Sequence, residues 1–558
     1  MKRIMILGAG VMQLPAFEAA RRCGWESIAV DGNPRAPGVE LADHFREIDL
    51  KDTDGILAAA EREAAGSGLH GVFTVGTDFS YPVAVVAHRL GLTGTSPESA
   101  ERASDKVLMR RSLARAGVPI PGFLEVVAES AADAGGGGAG LGGAGGGRAG
   151  EGAGISPVEA PGAVRDGALL PAVVKPVDNM GARGVRRVDE LAELEDALRD
   201  ALSHSRSGRA IVEELIPGRE YSIDALVVGD QVHVTGLAER HVFFPPYFIE
   251  LGHTLPAVLE DAHRRELEET FRGAVQALGI RNCAAKGDVF LGPSGAVIGE
   301  IAARLSGGYM SGWTFPGATG LALVEEGMRL ALGEAPRNLE PRRRWTSAER
   351  AAVSIPGRAR RLHGLSHARS VEGVSELFIR VSPGDEVRMP RNNTEKIANV
   401  IATRDRDPDA RRAAEKAVSR LLLELEPCQE STARYLLSDT RLFPDFFDIP
   451  DLGGERGLPQ PPTAPRTRLL ELPARQGFVN AAGRDWNYRS LQESLQMLQE
   501  LRGLQLEAPQ DGKLSPWSRL LWQVLRVGGV QGVLFTIDSV EADPDCVAAW
   551  LRRGEEGR

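Results

Sequence analysis

The chain has 558 residues, too many for one ordinary core, and a prior of roughly 150 residues per domain divides it into three or four units. Its 66 basic and 76 acidic residues leave a formal net charge of −10, which argues against a dedicated nucleic-acid binder. Four cysteines, Cys23, Cys283, Cys428 and Cys546, lack CxxC spacing, so neither a disulfide framework nor a zinc ribbon is expected and a reducing cytoplasm fits.

MKRIMILGAG is a short apolar run entering a glycine turn, with no small-residue cleavage site behind it. No window holds ~18 consecutive apolar residues, so a cytoplasmic chain without a membrane span is expected. Residues 3–9 have a buried-strand pattern and lead into a helix from Pro15 to Arg22. A second strand, SIAVD, ends at Asp31, and a third, GVFTVG, ends near Asp78. Strands alternating with helices predict a parallel sheet with ligand chemistry at the strand C-termini. The segment GLTGTSPESAERASDKVLMRRSLARAGVPIPGF then predicts a short strand, a capped helix and a proline-punctuated exit.

Residues 128–168, including GGGGAGLGGAGGG, have too little apolar side chain to offset the entropy of ordering them, and read as a flexible insertion. Ordered pattern resumes with the strand LLPAVVKPV, GVRRV, a helix from Asp189 to Ser203, and the strands AIVEELI and YSIDALVVG. A helix from Asp261 to Leu278 precedes the hairpin described next, and another spans Leu321 to Leu332. Residues 343–425 read as an α+β piece, with strands near AAVSI, ELFIRV and NVIAT and a helix from Asp409 to Leu425. Residues 452–465 are a linker, and the tail carries helices at 490–503 and 516–527.

The densest chemistry lies in CAAKGDVFLGPSGAVIGEIAARLSGGYMS, residues 283–311. It predicts two strands, AAKGDVFL and AVIGEIA, joined by a Gly/Pro/Ser turn. A three-residue loop would set Asp288 directly opposite Glu300, and a two-residue loop would leave them diagonal. Either register brings the carboxylates close, since facing Cβ atoms sit roughly 5 Å apart. Facing like charges call for a divalent cation held by oxygen ligands, unless both acids are simply solvated. Arg304 follows in a Gly-rich turn where its fork could hold a carboxylate or phosphate.

Two further segments carry charge at strand ends. Lys175 closes the strand PAVVK beside Gly181 and Gly184 of DNMGARGV, and a lysine next to a mobile glycine turn can meet phosphates. EELIPGREYSID places Glu213 and Glu214 at a strand end before Glu220, where backbone groups and acids could read an adenine edge and a ribose.

In this order the segments resemble the ATP-grasp superfamily, in the carboxylate–amine ligase branch that includes biotin carboxylase and the carbamoyl-phosphate synthase large subunit. The resemblance covers roughly residues 1–425. It implies an α/β and α+β multidomain fold: a Rossmann-like pre-ATP-grasp domain over 1–104 and a two-lobed ATP-grasp domain over 105–335, interrupted by the insertion. A C-terminal α+β subdomain over 336–430 and an extension of unassigned role over 431–558 would follow.

Carried over by motif, Lys106 and Lys175 would be the two nucleotide lysines, and Gly181 to Gly184 the phosphate lid. Glu213, Glu214 and Ile216 would form the adenine hinge, the latter two mainly through backbone, and Glu220 the ribose contact. Asp288 and Glu300 would be the Mg²⁺ carboxylates, with Mn²⁺ as an alternative ion, and Arg304 would orient the carboxylate or its acyl-phosphate. The family pattern E-x-N-x-R is broken here by Ala302, which removes a metal ligand and bears on a second Mg²⁺ site. The implied reaction joins a small-molecule carboxylate, activated by ATP as an acyl-phosphate, to an amine, releasing ADP and phosphate.

Arg240, Glu250 and His253 fall where relatives place substrate-facing residues, and Ser306, Gly307 and Gly308 form a loop beside Arg304. Tyr309 and Trp313 read as packing. Relatives often form dimers, so a homodimer is an expectation. Two other readings stay open: a non-catalytic nucleotide-binding protein of the same fold, supported by Ala302, and an NAD-dependent dehydrogenase, from LGAGVMQLP with Asp31 about 20 residues on. Gln13 in place of a third glycine weakens the latter. His363 and His367 have i,i+4 spacing but no nearby acid in sequence, and read as surface histidines.

Overall fold

The computed structural model describes residues 1–128, 169–438, 445–447, 484–504 and 515–556. The Gly-rich insertion, apart from Ala128, and the linker at 452–465 lie outside the described residues. Two compact units emerge: Met1–His241 with Pro246–Phe248 and Leu255–Arg343, and Val242–Pro245 with Ile249–Thr254 and Arg344–Arg558.

The first unit begins with four parallel strands in the order His44–Glu47, Glu26–Asp31, Arg3–Leu7, Gly71–Phe73. All five residues of Arg3–Leu7 are buried, as a near-continuous apolar run needs when helices cover both faces. The helix Leu14–Cys23 starts with a proline in its first turn and ends at Gly24, whose φ of 69° is the usual left-handed cap. The strand and single helix expected after residue 90 are instead two short helices, Pro97–Ser104 and Lys106–Arg115. Asp105 separates them: it is extended, and its carboxylate accepts from the backbone N–H groups of Val107 and Leu108, both at 2.9 Å.

Two further sheets complete this unit. One is antiparallel, in the order Phe123–Val127, Arg209–Glu214, Ala172–Pro176, Arg186–Val188, with the helix Leu194–His204 packing Leu194, Leu198 and Leu202 into its core. The other runs Gly295–Ala302, Cys283–Gly292, Arg219–Val228, Gln231–Phe243. The helix Asp261–Ala277 covers it, and a Cβ at Gly287 would meet the Phe271 ring at 2.5 Å, so only glycine allows that approach.

The second unit has strands ordered Ile249–Leu255, Thr346–Ala352, Ala398–Arg404, Val374–Ile379, and a smaller sheet of Glu386–Val387, Gly357–His363 and Leu422–Leu425. The expected helix to Leu425 stops at Arg420, because Leu422–Leu425 pairs antiparallel with Ala359–His363. All four of those residues are buried, and a run buried on both faces carries no period to distinguish strand from helix. Strands Gln231–Phe243 and Ile249–Leu255 flank Pro245–Pro246.

The tail helices are Leu491–Arg502, Pro516–Ala542 and Pro544–Glu556. The second, expected to end at residue 527, continues past Gly529, which takes a non-helical φ of 60° and lets the helix resume. By length and composition it could cross a membrane, but 89% of its apolar window is buried within the protein. It carries Gln531, Asp538 and Ser539 inside, with Gln531 bonded to Ser354 Oγ at 2.8 Å.

Candidate functional site

Asp288 and Glu300 face each other across the hairpin, although the turn has only two residues between Gly292 and Gly295. A β-bulge reconciles the two: Val289 pairs with Ile298 but Asp288 with Glu300, leaving Gly299 as the extra residue. A Cβ at Gly299 would lie 2.6 Å from the Phe290 ring and 3.1 Å from the Asp288 carbonyl oxygen, so the bulge requires a glycine.

Cations converge on the two acids. Lys286, two residues before Asp288 on the same strand face, donates to the Asp288 carboxylate and stands 4.0 Å from Glu300. Arg240 bridges Glu220 and Asp288, the latter at 2.9 Å, and Ser222 Oγ donates to Asp288 Oδ1 at 3.0 Å. Lys106 Nζ is 3.6 Å from Glu300 and donates to the Asn179 carbonyl at 2.7 Å. Burial pushes Glu300 upward, but Lys106, then Lys286, Arg304 and Lys175 outweigh it and hold the carboxyl at about 2.

Lys175 and Glu213 sit on adjacent strands, with Nζ 2.5 Å from Oε2. Arg110 Nε donates to the other oxygen at 2.7 Å. Burial raises the Glu213 pKa, yet Arg110 and Lys175 bring it to about 2. The Glu213 side chain is therefore engaged as the anchor of Lys175 rather than left open on the hinge. Glu214 is exposed and its backbone N–H donates to the Gly122 carbonyl at 2.9 Å; Ile216 follows the strand end. Gly181 and Gly184 take φ of +70° and +66°, and an added Cβ would meet nothing at Gly181 but His204 at 2.9 Å at Gly184. The glycine turn is thus open at one end and packed at the other. Its base is fixed by Asp178, which accepts from Ser205 Oγ, Arg206 N and Ser207 N at 2.8–3.0 Å.

Arg304 is buried, with Nε donating to the Thr77 carbonyl at 2.7 Å and Nη1 to the Leu305 carbonyl at 3.1 Å. Its loop docks on the end of the parallel sheet: Val75 bridges Leu305, and Gly76 and Gly307 meet backbone to backbone. From below, Asp224, fully buried on the strand Arg219–Val228, accepts from Ser306 N at 2.9 Å and Ser311 Oγ at 3.2 Å. Gly308 follows with φ +61°, and Tyr309 packs edge-on against Trp313, their centroids 5.5 Å apart.

Of the residues singled out from sequence, Lys106, Lys175, Glu213, Glu220, Arg240, Asp288, Glu300 and Arg304 form linked contacts in the first unit. Glu250 and His253 belong to the second unit, where the buried His253 Nδ1 lies 3.9 Å from Glu250 and 3.6 Å from Glu349. Lys286 and Arg110 were missed, although both carried a signal, being two residues from Asp288 on a strand and four from Lys106 on a helix.

The N-terminal glycine turn is filled from within. Ala9 N and Asn33 N donate to the two Asp31 oxygens at 2.8 Å each, and the Gln13 amide donates to the Val75 carbonyl. His363 lies on a strand, 3.0 Å from Glu424, and His367 on a short helix, so they share no helical face.

Facing carboxylates supply oxygen ligands only, and no group of three or more His, Cys, Asp or Glu suited to a metal occurs among the described residues. That donor set fits Mg²⁺, which keeps several waters and binds through one or two carboxylates plus substrate phosphates. Ala302 pairs with Lys286 in the register, so the position opened by the missing ligand faces an ammonium.

Residues 168–312 match the ATP-grasp domain, and residues 352–426 match the L-amino acid ligase C-terminal domain 2. The uncharacterized protein y4rH of Sinorhizobium fredii is 26% identical over 421 residues, 74% of this chain and 80% of that one. Carnosine synthase 1 of Gallus gallus is 27% identical over 353 residues, 60% of this chain but only 36% of its own length. Among solved structures, an L-amino acid ligase from Bacillus licheniformis superposes with a TM-score of 0.62 at 21% identity, covering 76% of this chain and 99% of that one. A phosphoribosylglycinamide synthetase from Anaerococcus prevotii gives 0.56 at 20% identity, covering 76% and 100%.

Proposed function

We propose that this chain, which carries an ATP-grasp domain of the carboxylate–amine ligase type, activates a small-molecule carboxylate with ATP and joins it to an amine. The observation that carries the reading is the Asp288–Glu300 pair with Lys106, Lys286, Arg304 and Lys175 around it. Lys286 is bonded to Asp288 and Lys175 to Glu213, but Lys106 stands off Glu300 at 3.6 Å and Arg304 donates only to carbonyls, and that remaining positive charge suits a polyphosphate that approaches with its own metal. The match to the L-amino acid ligase C-terminal domain and the likeness to a ligase of that name favour amino acids as the substrate class.

In this reading residues 105–335 hold the nucleotide. Lys175, oriented by Glu213, and Lys106 neutralise phosphate oxygens, and the open end of the glycine turn at Gly181 closes over them to exclude water. The hinge at Glu214–Ile216 takes the adenine and Glu220 the ribose. Asp288 and Glu300 would hold Mg²⁺, which would supply charge screening to the phosphate oxygens. Arg304, kept rigid by the Thr77 and Leu305 carbonyls, orients the substrate carboxylate for attack on the γ-phosphorus. ADP leaves, and the amine then adds to the acyl carbon with loss of phosphate.

A thermal-unfolding comparison with Mg-ATP, with NADH and with neither tests the cleft. Ligand at ~100 times its dissociation constant should add about 2.7 kcal/mol of stability. The expected result is a shift with Mg-ATP that weakens in Lys175→Ala, followed by ADP release in a screen of amino-acid pairs. A shift with NADH alone would sink the ligase reading.

A further inference from the structure

Asp78 lies just past the strand Gly71–Phe73, on the loop that the Arg304 segment docks against. Thr77, its neighbour, gives its carbonyl to Arg304 Nε at 2.7 Å, and Gly76 is in backbone contact with Gly307. Asp78 is thus one residue from the contact that fixes the arginine. Its side chain is 22% exposed, and Oδ2 meets Arg206 Nη2 at 3.2 Å. Arg206 is itself 41% exposed and also lies over the Phe79 ring at 5.5 Å. Oδ1 receives no donor among the described residues.

The electrostatic balance at Asp78 differs from that at Glu300. Burial lifts its carboxyl above the ordinary value, Glu300 adds to that, and Arg304, Lys106 and Arg206 only partly offset it. A carboxylate left under-compensated beside a cluster of lysines and arginines is a place where one more cation is welcome. The phosphates cannot supply it, being anions. The second substrate can, because an ordinary amine reaches a neutral solution as its ammonium.

Resting on the ligase reading above, we propose that Asp78 receives the ammonium of the incoming amine substrate and holds it beside the acyl group that Arg304 orients; the ammonium gives one proton to solvent before its nitrogen attacks, and the departing phosphate takes the second. Asp78 then selects the acceptor: protonated amines bind, and acceptors without a positive charge gain nothing from it. The group contributes to binding through a charge-assisted hydrogen bond to Oδ1, while Oδ2 stays with Arg206.

The test compares the wild type, Asp78→Asn and Asp78→Glu on a productive carboxylate–amine pair, using hydroxylamine as a second acceptor that is uncharged at neutral pH. Asp78→Asn should raise KM for the amine at least tenfold, about 1.4 kcal/mol of binding, and Asp78→Glu should restore part of it. KM for ATP, KM for the donor carboxylate and the rate of hydroxamate formation should stay within about twofold. An unchanged amine KM would overturn the proposal, as would an equal loss of hydroxamate, which would place Asp78 on the donor or in the scaffold. If the wild type forms neither amide, hydroxamate nor ADP with any carboxylate, the ligase reading itself falls and this assignment with it. A similar Tm in all three proteins establishes that the comparison is between folded enzymes.

Discussion

Two buried ionic clusters, one in each unit, are closed in opposite ways. In the second unit, Asp485 and Arg489 are almost fully buried and satisfy each other: Arg489 Nη1 meets Asp485 at 3.2 Å, and its other nitrogens donate to the Ser419 and Leu421 carbonyls. The remaining Asp485 oxygen takes Asn487 N and Arg489 N at 2.8 and 2.9 Å. In the first unit, Glu300 keeps a third of its side chain exposed while four cations crowd it without a close one-to-one pair. A charge cluster sealed by backbone groups is architecture; one that stays open with cations gathered on it awaits an anion. Burial of ions alone does not separate the two cases.

Glu213 tests where the boundary runs, since it is as buried as Asp485 yet anchors Lys175. Glu213→Ala and Asp485→Ala should each cost about 3–5 kcal/mol in urea unfolding, because each strands buried positive charge. Only Glu213→Ala should also shrink the Mg-ATP thermal shift. Acid sharpens the contrast. Glu213 lies at about 2 in the folded protein, below its ordinary value of 4.5, so its contribution is complete above 4.5 and is lost as pH falls toward 2. Burial instead raises Asp485 above 3.8, so the folded state binds its proton first and this group favours folding as pH drops. Stability measured from pH 5 to 3 should therefore fall less steeply in Glu213→Gln than in wild type.

Glu300→Ala comes next in size. Its position in the open cluster predicts a loss of about 10²–10³-fold in Mg²⁺-dependent ADP release, with an unaltered circular dichroism spectrum. Unchanged turnover would remove Glu300 from the metal assignment. Gly299→Ala is the smallest change and acts through geometry. The added methyl meets Phe290 and the Asp288 carbonyl, so about 1–3 kcal/mol of stability should be lost, with a parallel drop in nucleotide binding as Asp288 and Glu300 slip out of register.

The hairpin shows how far local reading reaches. Its strands, its turn and the two acids were legible because period-2 alternation and Gly/Pro punctuation are local signals. Their direct opposition was not, since the two-residue turn alone predicts a diagonal pair and only the bulge at Gly299 restores it. Lys286 illustrates a signal that was present and unused: it stands on the Asp288 face of a strand already recognised. The helix assigned through Leu425 failed for the opposite reason, because the wholly buried stretch Leu422–Leu425 has no face to report.

The sequence by itself marked the two hairpin strands, the charged side chains at strand ends and the resemblance that ties them together, since propensity, periodicity and motif spacing act over a few residues. Only the tertiary structure decided which charges meet. Glu213 proved to be bonded to Arg110 and Lys175, the Asp31 carboxylate to be bonded within its own turn, and Thr77, more than two hundred residues before Arg304, to hold it through its carbonyl. Such pairings arise from the packing of one sheet edge on another loop, which no local pattern along the chain encodes.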